Sequence, residues 1–506
     1  MKFSNWDWLF VFAYIAITFL VGVTATKRVK TVADFLVAGR RIRFHLGVAS
    51  LVATELGLVT VMYFAEQGFR YGFAAFIIGV IWSAAYLLIG STGFVVERVR
   101  RLEIMTITEY FELRYSKGVR ILGALLLVVA GVLSLGVFLK LGAVFMVQFL
   151  AIPETHIHLT MTVLVVVVVI YTVLGGMVTV VVTDFLQFIL LAIGMLLATF
   201  FVFGQHGFLD MFEQAESLYG NAAFNPISHP EYGWSFIAYW SVFAISGCIL
   251  WQPVAQRVLA AQNPELNKAI FKATSLMFLG RAFLPIVWGI GAAIYLGTQF
   301  DAAAGMPKYF SEILPVGMLG FFMAGMFAAS MSTDSSYILA WSAVIVQDII
   351  GPLRTEGLSE KDRVFLARLF VIIIGALMLS FGIWHELRGT AFRYLLDVTT
   401  IYYAGGLAAL VAGLYWKRAN TLGAYCAFIF GSILPLAYVV EDMTIQSQGG
   451  EAAGIVSRLL SPNMRGLLSF VLGFVGIGLG SLLPFGRSKI AAHRHPKMHE
   501  TGYRNN

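Results

Sequence analysis

The sequence predicts an all-α membrane protein, and two observations carry that prediction. The 506-residue chain is 59% hydrophobic and only 12% charged, with a mean hydropathy of +0.81, whereas soluble chains carry roughly 25% charged residues. Apolar runs of about 20 residues recur from end to end, each long enough to cross ~30 Å of hydrocarbon.

About 13 such segments can be placed, at 6–26, 45–68, 72–96, 121–149, 157–174, 178–204, 233–251, 268–298, 316–350, 364–386, 392–415, 418–440 and 465–486. The first is read as a retained helix. Only Lys2 precedes it, and a basic cluster follows where a signal peptide would show a small-residue cleavage site. Paired glycines break helices, so Gly175-Gly176 marks a tight turn between the fifth and sixth segments. Lys and Arg placement sets the orientation. Lys27, Arg28, Lys30, Arg40, Arg41 and Arg43 follow the first segment; Arg98, Arg100 and Arg101 follow the third. Arg354, Lys361 and Arg363 follow the ninth, Lys417 and Arg418 the eleventh, and Arg487 and Lys489 open the tail. With 13 helices all of these fall on one side. The stretch 205–232, with Asp210, Glu213, Glu216 and Glu231 but no Lys or Arg, falls on the other. The expectation is an N-terminus outside and a tail inside, in a bacterial cytoplasmic membrane.

Several function classes drop out. The net charge of +7 is spread over loops and makes no basic stripe, so no nucleic-acid partner is expected. No GxxxxGK[ST] phosphate loop occurs, which argues against ATP-driven transport. The longest non-apolar stretch, 205–232, is too short for an independent core, which counts against a sensor with a signalling domain. His156 and His158 lie in a loop, and His493 and His495 in the tail, so no intramembrane histidine site supports an enzyme, and no cofactor is expected. Cys248 and Cys426 both lie in apolar segments and make no disulfide framework.

Ionisable residues inside spans cost about 2.5–3.5 kcal/mol each at the membrane centre and are functional candidates by default. They are Glu55 and Glu66 in the second segment, Lys140 in the fourth, Asp184 in the sixth and Arg281 in the eighth. The bland alternative is that they pair off, Glu55 with Lys140 or Arg281, and only hold helices together. A second constellation is rich in hydroxyls: Ser330, Ser332, Thr333, Ser335 and Ser336 fall within seven positions. Residues three and four apart share a helix face, which groups Ala329, Ser332, Thr333 and Ser336. Hydroxyls in membrane helices often only bond the preceding turn. Hydroxyls together with carbonyls freed by a broken helix would suit Na⁺, and the Gly57 region beside Glu55 is a candidate break.

Four stretches resemble the sodium:solute symporter family, which includes bacterial sugar, proline and sialic-acid cotransporters. They are Asp34 to Arg41, Tyr171 to Gln187, Gln256 to Ala261 and Ala328 to Asp348. The resemblance implies a LeuT-type five-plus-five inverted repeat with one extra N-terminal and two extra C-terminal helices. On that plan residues 1–44 hold the extra helix and a loop, and 45–415 the transport core, as repeats 45–251 and 268–415. Two further helices occupy 416–486, and 487–506 form a tail. The family's principal sodium site falls on Ala53, Leu56, Ala329, Ser332 and Thr333. A second site found in some members falls on Asp184, Ser332, Ser335 and Ser336.

Where sugar-transporting members place an asparagine and a gating tyrosine, this chain has Ala244 and Gly247, and their sugar-binding lysine aligns with Arg281. A guanidinium favours a carboxylate, which leans the reading towards a carboxylated or anionic solute, unless Glu55 already neutralises Arg281. Trp251 could gate the site or be an interface tryptophan. With Glu55, Lys140 and Arg281 it completes the substrate and coupling candidates. The expected activity is sodium-coupled import of a small organic solute. Proton coupling through Glu55 or Asp184 is the alternative, and a non-transporting sensor is a remoter one. Ser332, shared by both sites, is expected to be the costliest hydroxyl to lose, and Ser330, off that face, to tolerate alanine.

Overall fold

The structure, a computed structural model, describes residues 3–26, 32–354, 357–386, 389–447 and 454–483. Lys27, Arg28, Lys30 and the tail basic residues lie outside them. The described residues form helices and no strand; one isolated bridge joins Ile42 to Ala261. The helices used below are α1 (Asn5–Thr26), α2 (Phe44–Glu55), α3 (Leu58–Tyr71), α4 (Phe76–Thr92), α5 (Lys117–Phe149), α6 (Ile157–His206), α7 (Gly233–Leu250) and α8 (Gln252–Ala260). They continue with α9 (Pro264–Leu296), α10 (Met318–Val344), α11 (Glu360–Trp384), α12 (Ala391–Tyr415), α13 (Thr421–Ser447) and α14 (Pro462–Leu482). Among the described residues ten helical stretches are long and apolar enough to cross a membrane, and Asn5–Val21 and Glu154–Ile170 are shorter apolar ones.

Local chemistry sets the ends. Ser116, Asn263, Ser359, Thr390 and Ser461 each turn a side-chain oxygen onto an amide of the first turn of the helix that follows, satisfying donors that would otherwise be orphaned. Pro264 and Pro462 sit at the first helical positions, where a missing N–H costs nothing. Asp7 of α1 caps another helix: its Oδ1 accepts from the amides of Gly317 and Gly320 at 2.8 and 2.7 Å. A carboxylate at the start of α10 suits the positive end of the helix dipole and clamps α1 to α10.

The expected segments 45–68 and 72–96 are divided differently from the sequence reading. The helical path breaks at Leu56–Gly57, and Leu58–Thr92 then forms one 35-residue stretch. Segments 157–174 and 178–204 are the two halves of α6, which meet at Gly176 (φ 55°, ψ −159°), and a β-carbon there would strike the ring of Phe35. Three short helices lie in stretches read as loops: Asp210–Tyr219, α8 and Ala302–Ile313. Each is too short to span, so an apolar-run criterion passes over it.

The C-terminal helices pack by backbone contact. A β-carbon on Gly405 would lie 2.5 Å from Phe428 Cα, one on Gly473 2.6 Å from Ala404 O, and one on Gly476 2.6 Å from Cys426 O. Small residues are what let helices approach this closely where no hydrophobic drive separates protein from lipid. A buried bidentate pair, Arg465 with Asp397 at 3.0 and 2.6 Å, ties α14 to α12.

Because the conformation at Gly176 is open almost only to glycine, Gly176→Ala should cost about 1–3 kcal/mol. That loss is measurable as a lower unfolding temperature of the purified protein in detergent.

Candidate functional site

The break after Glu55 frees the last carbonyls of α2, and hydroxyls from neighbouring helices meet them. Leu56 leaves the helical region (φ −94°, ψ 61°) and Gly57 is extended. Ser332 Oγ donates to Ala53 O at 2.7 Å, Thr333 Oγ1 to Thr54 O at 3.0 Å, and Thr60 Oγ1 to Glu55 O at 3.1 Å. Ser332 also lies 3.4 Å from Ala329 O. Gly57 allows this closeness, since a β-carbon there would sit 2.5 Å from Thr333 Oγ1. Carbonyls and hydroxyls at the negative end of a helix make a cation-friendly locus. Ala53, Ala329, Ser332 and Thr333 come together there around the turn at Leu56, and Thr54 joins them unforeseen by the sequence.

The second constellation contains a partner the sequence reading did not include. Asp184 Oδ2 accepts from Ser50 Oγ at 2.6 Å and from Arg257 Nη2 at 3.1 Å. The same Nη2 donates to Ser336 Oγ at 2.7 Å. Arg257 therefore stands between Asp184 and Ser336, while Asp184 Oδ1 has no partner. Thr54 Oγ1 is 3.4 Å from Ser336 Oγ, and Ser335 Oγ donates to Ser332 O at 3.2 Å. All of these side chains are buried. In the sequence Arg257 stands in a stretch that follows an apolar span. Its position in the buried short helix α8 is invisible to a hydropathy scan.

Beside the break lies a cavity of about 80 Å³ lined by α2, α3, α4, α5, α7, α9, α10 and α12. Its charged residues are Glu55 and Arg281, which approach to 3.8 Å, too far for a hydrogen bond. Tyr337 donates to Glu55 at 3.3 Å. Arg281 Nε and Trp82 Nε1 have no hydrogen-bond partner, and the guanidinium packs over Phe278 with its carbon 4.6 Å from the ring centre. The structure thus pairs Glu55 with Arg281, loosely, and not with Lys140. Lys140 donates to His385 O at 2.6 Å and does not line the cavity. Trp251 does line it, 5% exposed, against Tyr337 and Tyr403; a membrane-interface role is excluded by that burial. Ala244 is buried in α7 and Gly247 lines the cavity, where its missing side chain admits Trp82. Glu66 pairs with Arg70 at 3.0 Å, the bland reading for that residue. Ser330 donates to the buried Asp334 at 2.9 Å, so alanine there would strip a buried carboxylate of its donor and would not be silent.

The sequence profile of the sodium:solute symporter family matches residues 35–431. The chain belongs to that family. It is 26% identical over 473 residues to the sodium/sialic acid symporter NanT of Aliivibrio fischeri, covering 87% of this chain and 88% of that protein. It is 24% identical over 478 residues to sodium/glucose cotransporter 1 of Oryctolagus cuniculus, covering 85% and 71%. In fold it matches a substrate-bound, outward-open Na⁺-coupled sialic acid symporter with a TM-score of 0.80 at 20% identity, over 96% of this chain and 99% of that one. The family is one of membrane transporters, not enzymes, and sodium is the ion its members couple to.

Removing one member of a buried ion pair strands the other, at a cost of about 3–5 kcal/mol. Asp184→Asn and Arg257→Gln should each lower the unfolding temperature markedly, and the double substitution should be milder than the sum. A thermal-unfolding double-mutant cycle checks this.

Proposed function

We propose that this member of the family is a sodium-coupled symporter that carries a small organic solute bearing a carboxylate, by alternating access. One observation carries the reading: the broken end of α2 presents Ala53 and Thr54 carbonyls to Ser332 and Thr333 of α10, immediately beside the Glu55–Arg281 cavity. An ion bound by Ala53, Leu56, Ala329, Ser332 and Thr333 would hold α2 against α10 and so favour the closed solute site. Its release would loosen both, which is how an ion gradient does work on a conformational equilibrium. The five-plus-five repeat, 45–251 against 268–415, supplies the two bodies that move, with the extra helices in 1–44 and 416–486. The basic loops and the tail 487–506 face the cytoplasm, and the N-terminus lies outside.

A second sodium would use Asp184, Ser332, Ser335 and Ser336. Its support is the unpartnered Asp184 Oδ1 and the two hydroxyls within the same buried cluster; Arg257 would have to yield Ser336 as the ion enters. Arg281 is the carboxylate ligand, since a guanidinium with a free Nε–H matches planar oxygen pairs.

Uptake into proteoliposomes made with sodium and then with choline, across a pH series, tests the coupling ion. Uptake that persists in choline and follows pH would replace sodium with a proton at Glu55 or Asp184. With two sites, the sodium activation curve should have a Hill coefficient above one, and a value near one removes the second site. Ser332→Ala should weaken apparent sodium affinity by about tenfold or more, a loss of ~1.4 kcal/mol. Arg281→Gln should abolish solute uptake while sodium still stabilises the protein against heat. Loss of both would make Arg281 structural.

A further inference from the structure

The cavity that the symport reading assigns to solute holds one cation and one anion, and neither is fully satisfied. Arg281 and Glu55 are 93% and 95% or more withdrawn from solvent, at 7% and 5% exposure. Two buried salt-bridge partners in a finished structural pair would close to hydrogen-bond distance and fill their remaining valences. Three other buried pairs in this chain do close to that distance, Arg465–Asp397 at 2.6 Å, Arg120–Asp348 at 2.7 Å and Arg257–Asp184 at 3.1 Å, although Asp348 Oδ2 and Asp184 Oδ1 are left without a partner. Glu55 and Arg281 stop at 3.8 Å. Arg281 keeps an N–H without an acceptor, and so does Trp82 on the same cavity wall.

These facts define the complement. Two unspent donors, Arg281 Nε and Trp82 Nε1, ask for a carboxylate. Glu55, accepting only a long hydrogen bond from Tyr337, asks for a donor or a positive charge. The neighbouring wall is aromatic, with Tyr63, Trp240 and Phe392 packed on one another, and aromatic faces attract cationic nitrogen. A ligand with a single negative charge would satisfy Arg281 yet meet Glu55 across a few ångströms of low-dielectric cavity, where like charges repel strongly. A ligand carrying both signs leaves the cavity neutral.

We propose that the solute is a small zwitterion, of the amino-acid or betaine class, whose carboxylate takes Arg281 and Trp82 and whose cationic nitrogen takes Glu55 and the aromatic wall. This rests on the sodium-symport reading and narrows its solute from carboxylated to doubly charged. Glu55 then acts as a specificity residue and Arg281 as the carboxylate anchor.

The test uses matched trios on one carbon skeleton: alanine, propanoate and ethylamine; proline, cyclopentanecarboxylate and pyrrolidine; phenylalanine, 3-phenylpropanoate and 2-phenylethylamine. Glycine betaine is added as a quaternary case. Binding to the purified full-length protein is read by thermal stabilisation and by isothermal titration, in sodium chloride and in choline chloride. The expected result is that at least one zwitterion binds in sodium about tenfold or more tightly than both its acid and its amine. Equal binding by the matched acid overturns the proposal in favour of a plain anion, and so does a panel in which no zwitterion binds. Zwitterion binding that ignores sodium leaves the solute class standing but sinks the coupling reading, so the two failures are separable. In the variants, Glu55→Gln should shrink the preference for zwitterion over acid towards unity. Arg281→Gln should weaken acid and zwitterion together and spare the amine. A Glu55→Gln protein that retains the full preference overturns the role given to Glu55. If that variant does not fold, the trios on the unaltered protein decide.

Discussion

Everything in the centre of this molecule depends on the fate of three carbonyls. A backbone group freed inside hydrocarbon has no water to turn to and must be met by protein. The chain opens α2 at Leu56–Gly57 and meets Ala53, Thr54 and Glu55 with the hydroxyls of Ser332, Thr333 and Thr60. Two of those three hydroxyls come from α10, 279 residues away. The discontinuity in α2 and the hydroxyl run in α10 are therefore one device, and neither is tenable without the other. Gly57 makes the contact sterically feasible, because any larger residue would push Thr333 off.

The second governing constraint is charge neutrality in a medium that punishes isolated ions. Five of the buried carboxylates are answered by a guanidinium or by backbone amides, while Asp334 is met by the hydroxyl of Ser330. Asp184 has Arg257, Asp348 has Arg120, Asp397 has Arg465, Glu66 has Arg70, and Asp7 has two helix-start amides. These answers join separate helices and fix their packing. Glu55 with Arg281 is an ion pair of slack geometry, and it lies in the cavity beside the α2 break. Tight pairs join the helices, and the loose pair lines the cavity.

Much of this was legible in the chain itself. Runs of apolar residues predicted the spans, the helical spacing of 329, 332, 333 and 336 predicted the shared face, and rare intramembrane charges pointed to Asp184, Glu55 and Arg281. The family's motifs supplied which carbonyls those hydroxyls face. What stayed hidden has a common physical origin: it lies in pieces too short or too irregular for periodicity to register. Arg257 belongs to α8, a nine-residue element that hydropathy counts as loop. Thr54 contributes a backbone oxygen, which no side-chain pattern reveals. Lys140 illustrates the reverse error: a charge within a span whose long stem carries it to a carbonyl at the end of α11, away from the cavity.

The backbone-to-backbone seam among α12, α13 and α14 bears on mechanics. Where β-carbons are absent and peptide planes touch, as at Gly405, Gly473 and Gly476, one helix cannot slide over another without first separating from it. The bidentate Arg465–Asp397 clasp adds a second point of attachment between α12 and α14. Two points of fixation remove rotation as well as translation. α12 carries Thr399 and Tyr403 on the cavity wall, so any tilt that widens or narrows the cavity from that side must lever a three-helix slab. α13 and α14 thus give α12 a stiff backing, and any displacement on its cavity side would be carried across all three helices to the far edge of α14.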